Sequence, residues 1–283
     1  MRIGIGIPNT VPVASGQALL EWARRAEALG FSSLATIGRV AYPGYEELTV
    51  LAAAAAVTER IGLFTNVLLG PTRDPVLLAK AAASVDQLSQ GRFVLGVGVG
   101  SRPDDFEASG TQFKDRGRRW DRALELMHQA WRGERVAGSQ KPVTPPPVRG
   151  DRVPILFGGQ SEHAVRRTVR WGEGWTAGGA SADMAAGMFE KVRQAWREAG
   201  REGGPQLRAL QYFAVGPRSE AGREYLADYY GPYADRMWPG VPRDADALRE
   251  VVRRFEAIGA DEVVFSPTIG SVEQVELLAQ AVL

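Results

Sequence analysis

The sequence has no cysteine and only two histidines, His128 and His163, in 283 residues. Without thiols there are no disulfides, no thiolate metal sites and no cysteine nucleophile. Two histidines far apart in sequence give no imidazole cluster for zinc, so no metal is expected. No GxSxG turn and no Ser-His-Asp set is present. An excess of either charge is missing too: 34 Lys and Arg face 33 Asp and Glu, for a net charge of +1. Such a balance gives no overall field to draw in nucleic acid or an anionic membrane. The arginine-rich run RGRRWDR (116–122) has acidic residues close by and reads as a solvated helix face. Long apolar runs are also lacking. LTVLAAAAAV (48–57) falls well short of a membrane span, and the N-terminal segment is broken by Pro8 and Asn9 before it resembles a secretory signal. A cytoplasmic protein acting on small molecules is the expectation.

What is present is a regular alternation of short apolar runs and helical stripes. RIGIGIP (2–8) reads as a first strand. The helix 15–30 follows, with Ser15 as its cap, a stripe at Leu19, Trp22, Ala23, Ala26 and Leu29, and Gly30 as its stop. FSSLATI (31–37), LFTNVLL (63–69) and RFVLGVGVG (92–100) read as strands two to four; the first leads to a helix over 45–62, the second to one over 74–91, and the third through a loop to one over 115–133. A proline-rich stretch, 136–154, interrupts the pattern, which then resumes with strands at 154–159, 174–179, 206–216 and 261–267. Eight strand-helix units predict a (β/α)₈ TIM barrel, one domain over 1–283, with the proline stretch inserted between helix four and strand five.

In such a barrel, function gathers where strands end. Those ends carry no Asp, Glu, His or Lys, which suits a cofactor that brings its own chemistry while the protein orients it. In strand four, Gly96, Gly98 and Gly100 share one face. The missing side chains let either a flat ring or a neighbouring backbone come close. The spacing GxGxG, with Pro103 before any helix, does not fit a dinucleotide turn. FGGQS (157–161) is the better phosphate candidate: two glycines end a strand, and Ser161 opens a helix whose free N–H groups face the loop. Ordinary capping by Ser161 explains the same residues. YYGPYADRMWPGVP (229–242) is unusually aromatic for a loop and reads as a substrate lid or a cap on the barrel.

Six segments together resemble the bacterial-luciferase-like family of flavin- and deazaflavin-dependent oxidoreductases. They are RIGIGIP, ALLEWARRAEALGFSSL, the long run from AAAAAVTERIG through LFTNVLLGPTRDPVLLAKAAASVDQLSQGRFVLGVGVG, RGRRWDRALELMHQAWRGE, PILFGGQSEHAVRRTVRWGEGW and GADEVVFSP. The resemblance implies a cofactor in the barrel mouth, either reduced FMN or coenzyme F-420. It implies a non-prolyl cis peptide between Asn66 and Val67, and cofactor contacts at Asn66, Val67, Gly100, Gly158, Gly159, Gln160 and Ser161. A homodimer through the second and third helices is implied as well. Many relatives end strand two with Asp-His, where this chain has Gly38-Arg39. Some carry a glutamate after strand four, where this chain has Ser101. These departures favour FMN and oxygen over F-420 hydride transfer. The expected activity is a monooxygenase supplied by a separate flavin reductase, with a non-catalytic flavin-binding paralogue as a further reading. Candidate catalytic residues are Arg39, Tyr42 and Ser101, and the expected substrate pocket comprises Arg39, Tyr42, Tyr212 and Trp238.

Overall fold

The computed structural model describes residues 1–11, 15–136, 138–179 and 181–283. In chain order the strands are β1 (Arg2–Gly6), β2 (Ser33–Thr36), β3 (Gly62–Thr65), β4 (Leu68–Leu69), β5 (Phe93–Gly98), β6 (Ile155–Gly158), β7 (Gly174–Ala177), β8 (Gln206–Phe213) and β9 (Glu262–Pro267). The α-helices are α1 (Gly16–Leu29), α2 (Glu47–Ala55), α3 (Pro75–Leu88), α4 (Pro103–Ala108), α5 (Arg116–Trp131), α6 (Glu162–Trp171), α7 (Ala182–Glu198), α8 (Ala221–Tyr230), α9 (Ala234–Met237), α10 (Ala245–Ala257) and α11 (Glu273–Val282).

All strands pair in parallel, in the order β3-β2-β1-β9-β8-β7-β6-β5-β4, and β3 also pairs with β5 to close the ring. β3 and β4 are two halves of one barrel strand, both alongside β5. The peptide between them, Asn66-Val67, is cis. Eight barrel strands result, forming a closed TIM barrel.

Local sequence accounts for the helices. Ser15 caps α1 by accepting from the Ala18 N–H, and Leu19, Trp22, Ala23 and Ala26 are its buried stripe, whereas Leu29, expected in that stripe, lies exposed in the last turn. Asp74 caps α3 through the N–H groups of Val76 and Leu77, with Pro75 in the first turn. Such caps each contribute about 1 kcal/mol. The stripes pack on the outer faces of the strands, while Ala35, Phe64, Leu156 and Val264 form a small cluster of their own from four strands.

At the N-terminal end of the barrel, Arg208 Nη1 lies 3.0 Å from Glu262 Oε2, both side chains being buried. Ser32 and Ser33 donate to Glu262 Oε1 at 2.5 and 2.7 Å, and Phe64 lies under the guanidinium. The proline stretch is a surface connection fastened to α3. Gln87 Nε2 donates to the Pro146 carbonyl and the Val148 N–H donates to Asp86. Two details differ from the sequence reading. α2 stops at Ala55 rather than running on to Gly62, and the segment after Gly100 contains the short helix α4, begun by Pro103. Among the described residues, no helix is long and apolar enough to cross a membrane.

Candidate active site

The C-terminal ends of the strands surround a cavity of about 350 Å³. Much of its wall is backbone, contributed by Gly98, Gly100, Gly158, Gly159, Gly178 and Gly179. Asn66 and Val67, Arg39, Ser101, Arg102, Asp105, Tyr212, Tyr229 and Tyr230 supply most of the side chains.

The bulge at Asn66-Val67 explains the glycines of β5. A Cβ on Gly96 would stand 1.8 Å from the Thr65 carbonyl oxygen, and one on Gly98 would stand 2.9 Å from a methyl of Val67. The Thr65 hydroxyl also donates to the Gly96 carbonyl at 2.7 Å. Of the two readings of this strand, close approach by a neighbour therefore holds at Gly96 and Gly98. The space they free is filled by β3 and the bulge rather than by open cavity. Val67 also faces Gly158, so its side chain is wedged between β5 and β6.

Asn66 is 4% exposed. Its Oδ1 accepts from the Thr176 hydroxyl at 2.9 Å, while its Nδ2 has no hydrogen-bond partner. A buried donor left without an acceptor costs about 1–3 kcal/mol. Asn66 lines the cavity, and its Nδ2 is a buried donor left without an acceptor beside it.

Beside the bulge lies an acid that the strand ends do not reveal. Glu47, at the start of α2, is buried, and its Oε1 is only 2.0 Å from where a Cβ on Gly38 would stand; the Val67 carbonyl is 2.9 Å from that point. The carboxyl thus occupies the position of a side chain at Gly38. Burial raises its pKa to about 7, and the attraction of Arg73, 2.7 Å from Oε2, offsets this only in part. The sequence signal was an acid heading an otherwise apolar helix.

Arg39 is held in place by its neighbours. It pairs with Asp104 at 2.7 Å and Asp105 at 2.9 Å, and it donates to the Ala41 carbonyl. Asp105 in turn accepts from the N–H groups of Val40 and Ala41, both at 2.8 Å, so α4 fixes the loop that follows β2. Tyr42 donates to Asp228 and packs edge-on against Tyr229. It is absent from the cavity wall. Tyr212, fully buried, shares a 2.7 Å hydrogen bond with Tyr230. Burial raises the pKa of Tyr42, Tyr212, Tyr225, Tyr229 and Tyr230, which keeps these hydroxyls neutral.

The remaining expected residues are distributed as follows. Gly158 and Gly159 line the cavity, whereas Gln160 and Ser161 lie on the exposed rim beyond it. Ser161 caps α6 by accepting from the Ala164 N–H at 3.3 Å. Ser101 lines the cavity and is exposed. Trp238 is 8% exposed but packs into a satellite core with Tyr212, Tyr225 and Leu226, under Arg243, instead of facing the cavity. The aromatic segment 229–242 is helical and folds down as a cap whose inner residues are Tyr229 and Tyr230. His128 stacks on Trp171 at 4.6 Å, and burial lowers its pKa to about 4. His163 lies exposed in the first turn of α6, outside the cavity. Among the described residues, no group of three His, Asp or Glu gathers as metal ligands would.

A closed barrel with a backbone-walled mouth and an unsatisfied buried amide belongs to the class of barrel enzymes that rely on an organic cofactor. The family profile described as luciferase-like monooxygenase matches residues 1–275, and the chain belongs to that family of flavin- or F-420-binding oxidoreductases. An uncharacterised protein of Mycobacterium tuberculosis is 32% identical over 201 residues, 61% of this chain and 69% of that protein. Among solved structures, an F-420-dependent secondary alcohol dehydrogenase in complex with an F-420-acetone adduct superposes with a TM-score of 0.82. The identity is 18%, covering 99% of this chain and 98% of that one. The oxygenating constituent of 3,6-diketocamphane monooxygenase from Pseudomonas putida, in complex with FMN, gives a TM-score of 0.75 at 18% identity, covering 99% and 95%. At these identities the two structures speak for the fold.

Proposed function

We propose that the protein is a monooxygenase that uses reduced FMN, delivered by a separate flavin reductase, to oxidise a small organic substrate. The observation that carries this reading is a cavity walled largely by glycine backbone and lined by Asn66, whose buried Nδ2 has no partner. Those features fit a flat, carbonyl-bearing ring: the backbone wall admits it and the orphan Nδ2 meets one of its acceptors. Asn66, Val67 and Gly100 would hold the ring, while Gly158, Gly159, Gln160 and Ser161 would hold the phosphate. Reduced FMN, when bound, supplies the electrons for oxygen transfer. The chain's own contribution is to orient the ring, keep neutral tyrosine hydroxyls over the mouth and exclude water beneath the aromatic cap.

Association as a homodimer through α2 and α3 belongs to the same proposal. Leu77 and Leu88 on α3 are 68% and 64% exposed, which leaves apolar surface for a second copy. F-420-dependent hydride transfer is the second reading. Glu47 favours it, because an acid that titrates near neutrality could hold a proton close to the mouth. Titrating the apoprotein with FMN and with F-420, followed by cofactor fluorescence, separates the two. FMN binding with weaker F-420 binding is expected; binding of F-420 alone overturns the primary reading.

A further inference from the structure

Two guanidinium groups line the mouth, and they differ in what they are doing. Arg39 is consumed by Asp104, Asp105 and the Ala41 carbonyl. Arg102 stacks on Tyr229 at 4.8 Å and on Tyr230 at 5.1 Å. Among the described residues it has neither an ion-pair partner nor a hydrogen-bond acceptor. Contact with the two rings, which are inclined at 61° to each other, places the guanidinium at the wall while its N–H donors stay without partners. The nearby acid Asp105 already serves Arg39 and two backbone N–H groups. Both tyrosine hydroxyls beneath Arg102 stay neutral, so they offer no counter-charge.

A half-buried guanidinium on a cavity wall with no ion-pair or hydrogen-bond partner suits an oxyanion, which its fork can hold in bidentate fashion. Such an anion could come from the cofactor or from the substrate. The proposed phosphate loop lies after β6, whereas Arg102 follows β5 and leans on the aromatic cap, where the substrate would enter. Resting on the proposed cofactor use, we infer that the substrate is a small organic acid whose carboxylate is held by Arg102 against Tyr229 and Tyr230.

The test is calorimetric titration of the apoprotein and of the FMN-loaded protein with acid and amide pairs of matched shape, hexanoate against hexanamide and benzoate against benzamide. Wild-type protein should bind the acids about tenfold more tightly than the amides, as a charge-assisted pair implies. Arg102→Gln should erase that preference while leaving the amides unchanged, and Arg102→Lys, which keeps the charge without the fork, should restore part of it. Thermal melts of both variants confirm that they are folded. Equal affinity for acids and amides, or a preference that survives Arg102→Gln, overturns the inference. Weaker binding of FMN or riboflavin to Arg102→Gln would also overturn it, because the guanidinium would then serve the cofactor. If wild-type protein binds only F-420, the FMN reading falls while the acid preference, measured on the apoprotein, is judged separately.

Discussion

At the N-terminal end of the barrel, Arg208 and Glu262 Oε2 meet at 3.0 Å, and Ser32 and Ser33 donate to the other carboxylate oxygen. At the C-terminal end, Glu47 is buried next to Gly38, Asn66 keeps an unused amide N–H and Arg102 stacks on tyrosines with no anion. The first end pairs its two charges with each other, although Arg208 Nε and Glu262 Oε2 gain no hydrogen-bond partner, and in a barrel this is the face that serves stability. The second pairs Glu47 with Arg73 but leaves the Asn66 amide and the Arg102 guanidinium without partners, which is the arrangement expected where a ligand completes the set.

Breaking the matched end should have the largest effect. Arg208→Met leaves Glu262 buried with Arg2, at 3.8 Å, as its remaining ion-pair partner among the described residues. Stability in urea unfolding should fall by about 3–5 kcal/mol. Replacing Glu262 by Met as well should recover much of the loss, and FMN affinity of the folded fraction should not move. A loss in FMN affinity as large as the loss in stability would erase the distinction between the two ends.

Glu47→Gln probes the unmatched end. Wild-type Glu47 has a folded pKa of about 7 against a reference value of 4.5. The folded state therefore holds the extra proton, and the associated stability is complete below the reference value and lost as pH rises to about 7. Unfolding free energy should decline across that window in wild type, by up to about 3 kcal/mol, and Glu47→Gln should flatten this decline. Parallel pH profiles would show that the carboxyl is compensated after all.

A smaller effect is expected from Gly38→Ala, whose Cβ would collide with Glu47 Oε1. The cost should be about 1–3 kcal/mol. Combining it with Glu47→Ala should cost less than the sum of the single changes, because the clash disappears with the carboxyl. Simple additivity would mean that the two residues do not share that space.

The barrel and the position of its mouth were legible because strand and helix periodicities differ and because caps such as Ser15 and Asp74 mark boundaries. The cis bond at Asn66-Val67 was legible only through family resemblance, since no local pattern encodes it. The aromatic content of 229–242 pointed to the cap. It did not reveal that Tyr229 and Tyr230 would face the cavity while Trp238 turned into a satellite core. Which arginine is free was equally hidden. Arg39 and Arg102 look alike in sequence, and the difference arises only because α4 brings Asp104 and Asp105 to Arg39. The glycines of β5 were visible, but the Thr65 carbonyl and Val67 that press on them are long-range neighbours that a strand pattern cannot supply.

The central claim is that the mouth's unmatched amide is completed by a flavin, and FMN titration of wild type against Asn66→Leu tests it most directly. Loss of the Nδ2 donor should weaken FMN binding by about tenfold, with the melting temperature of the apoprotein little changed. Unaltered FMN affinity in Asn66→Leu would contradict the claim.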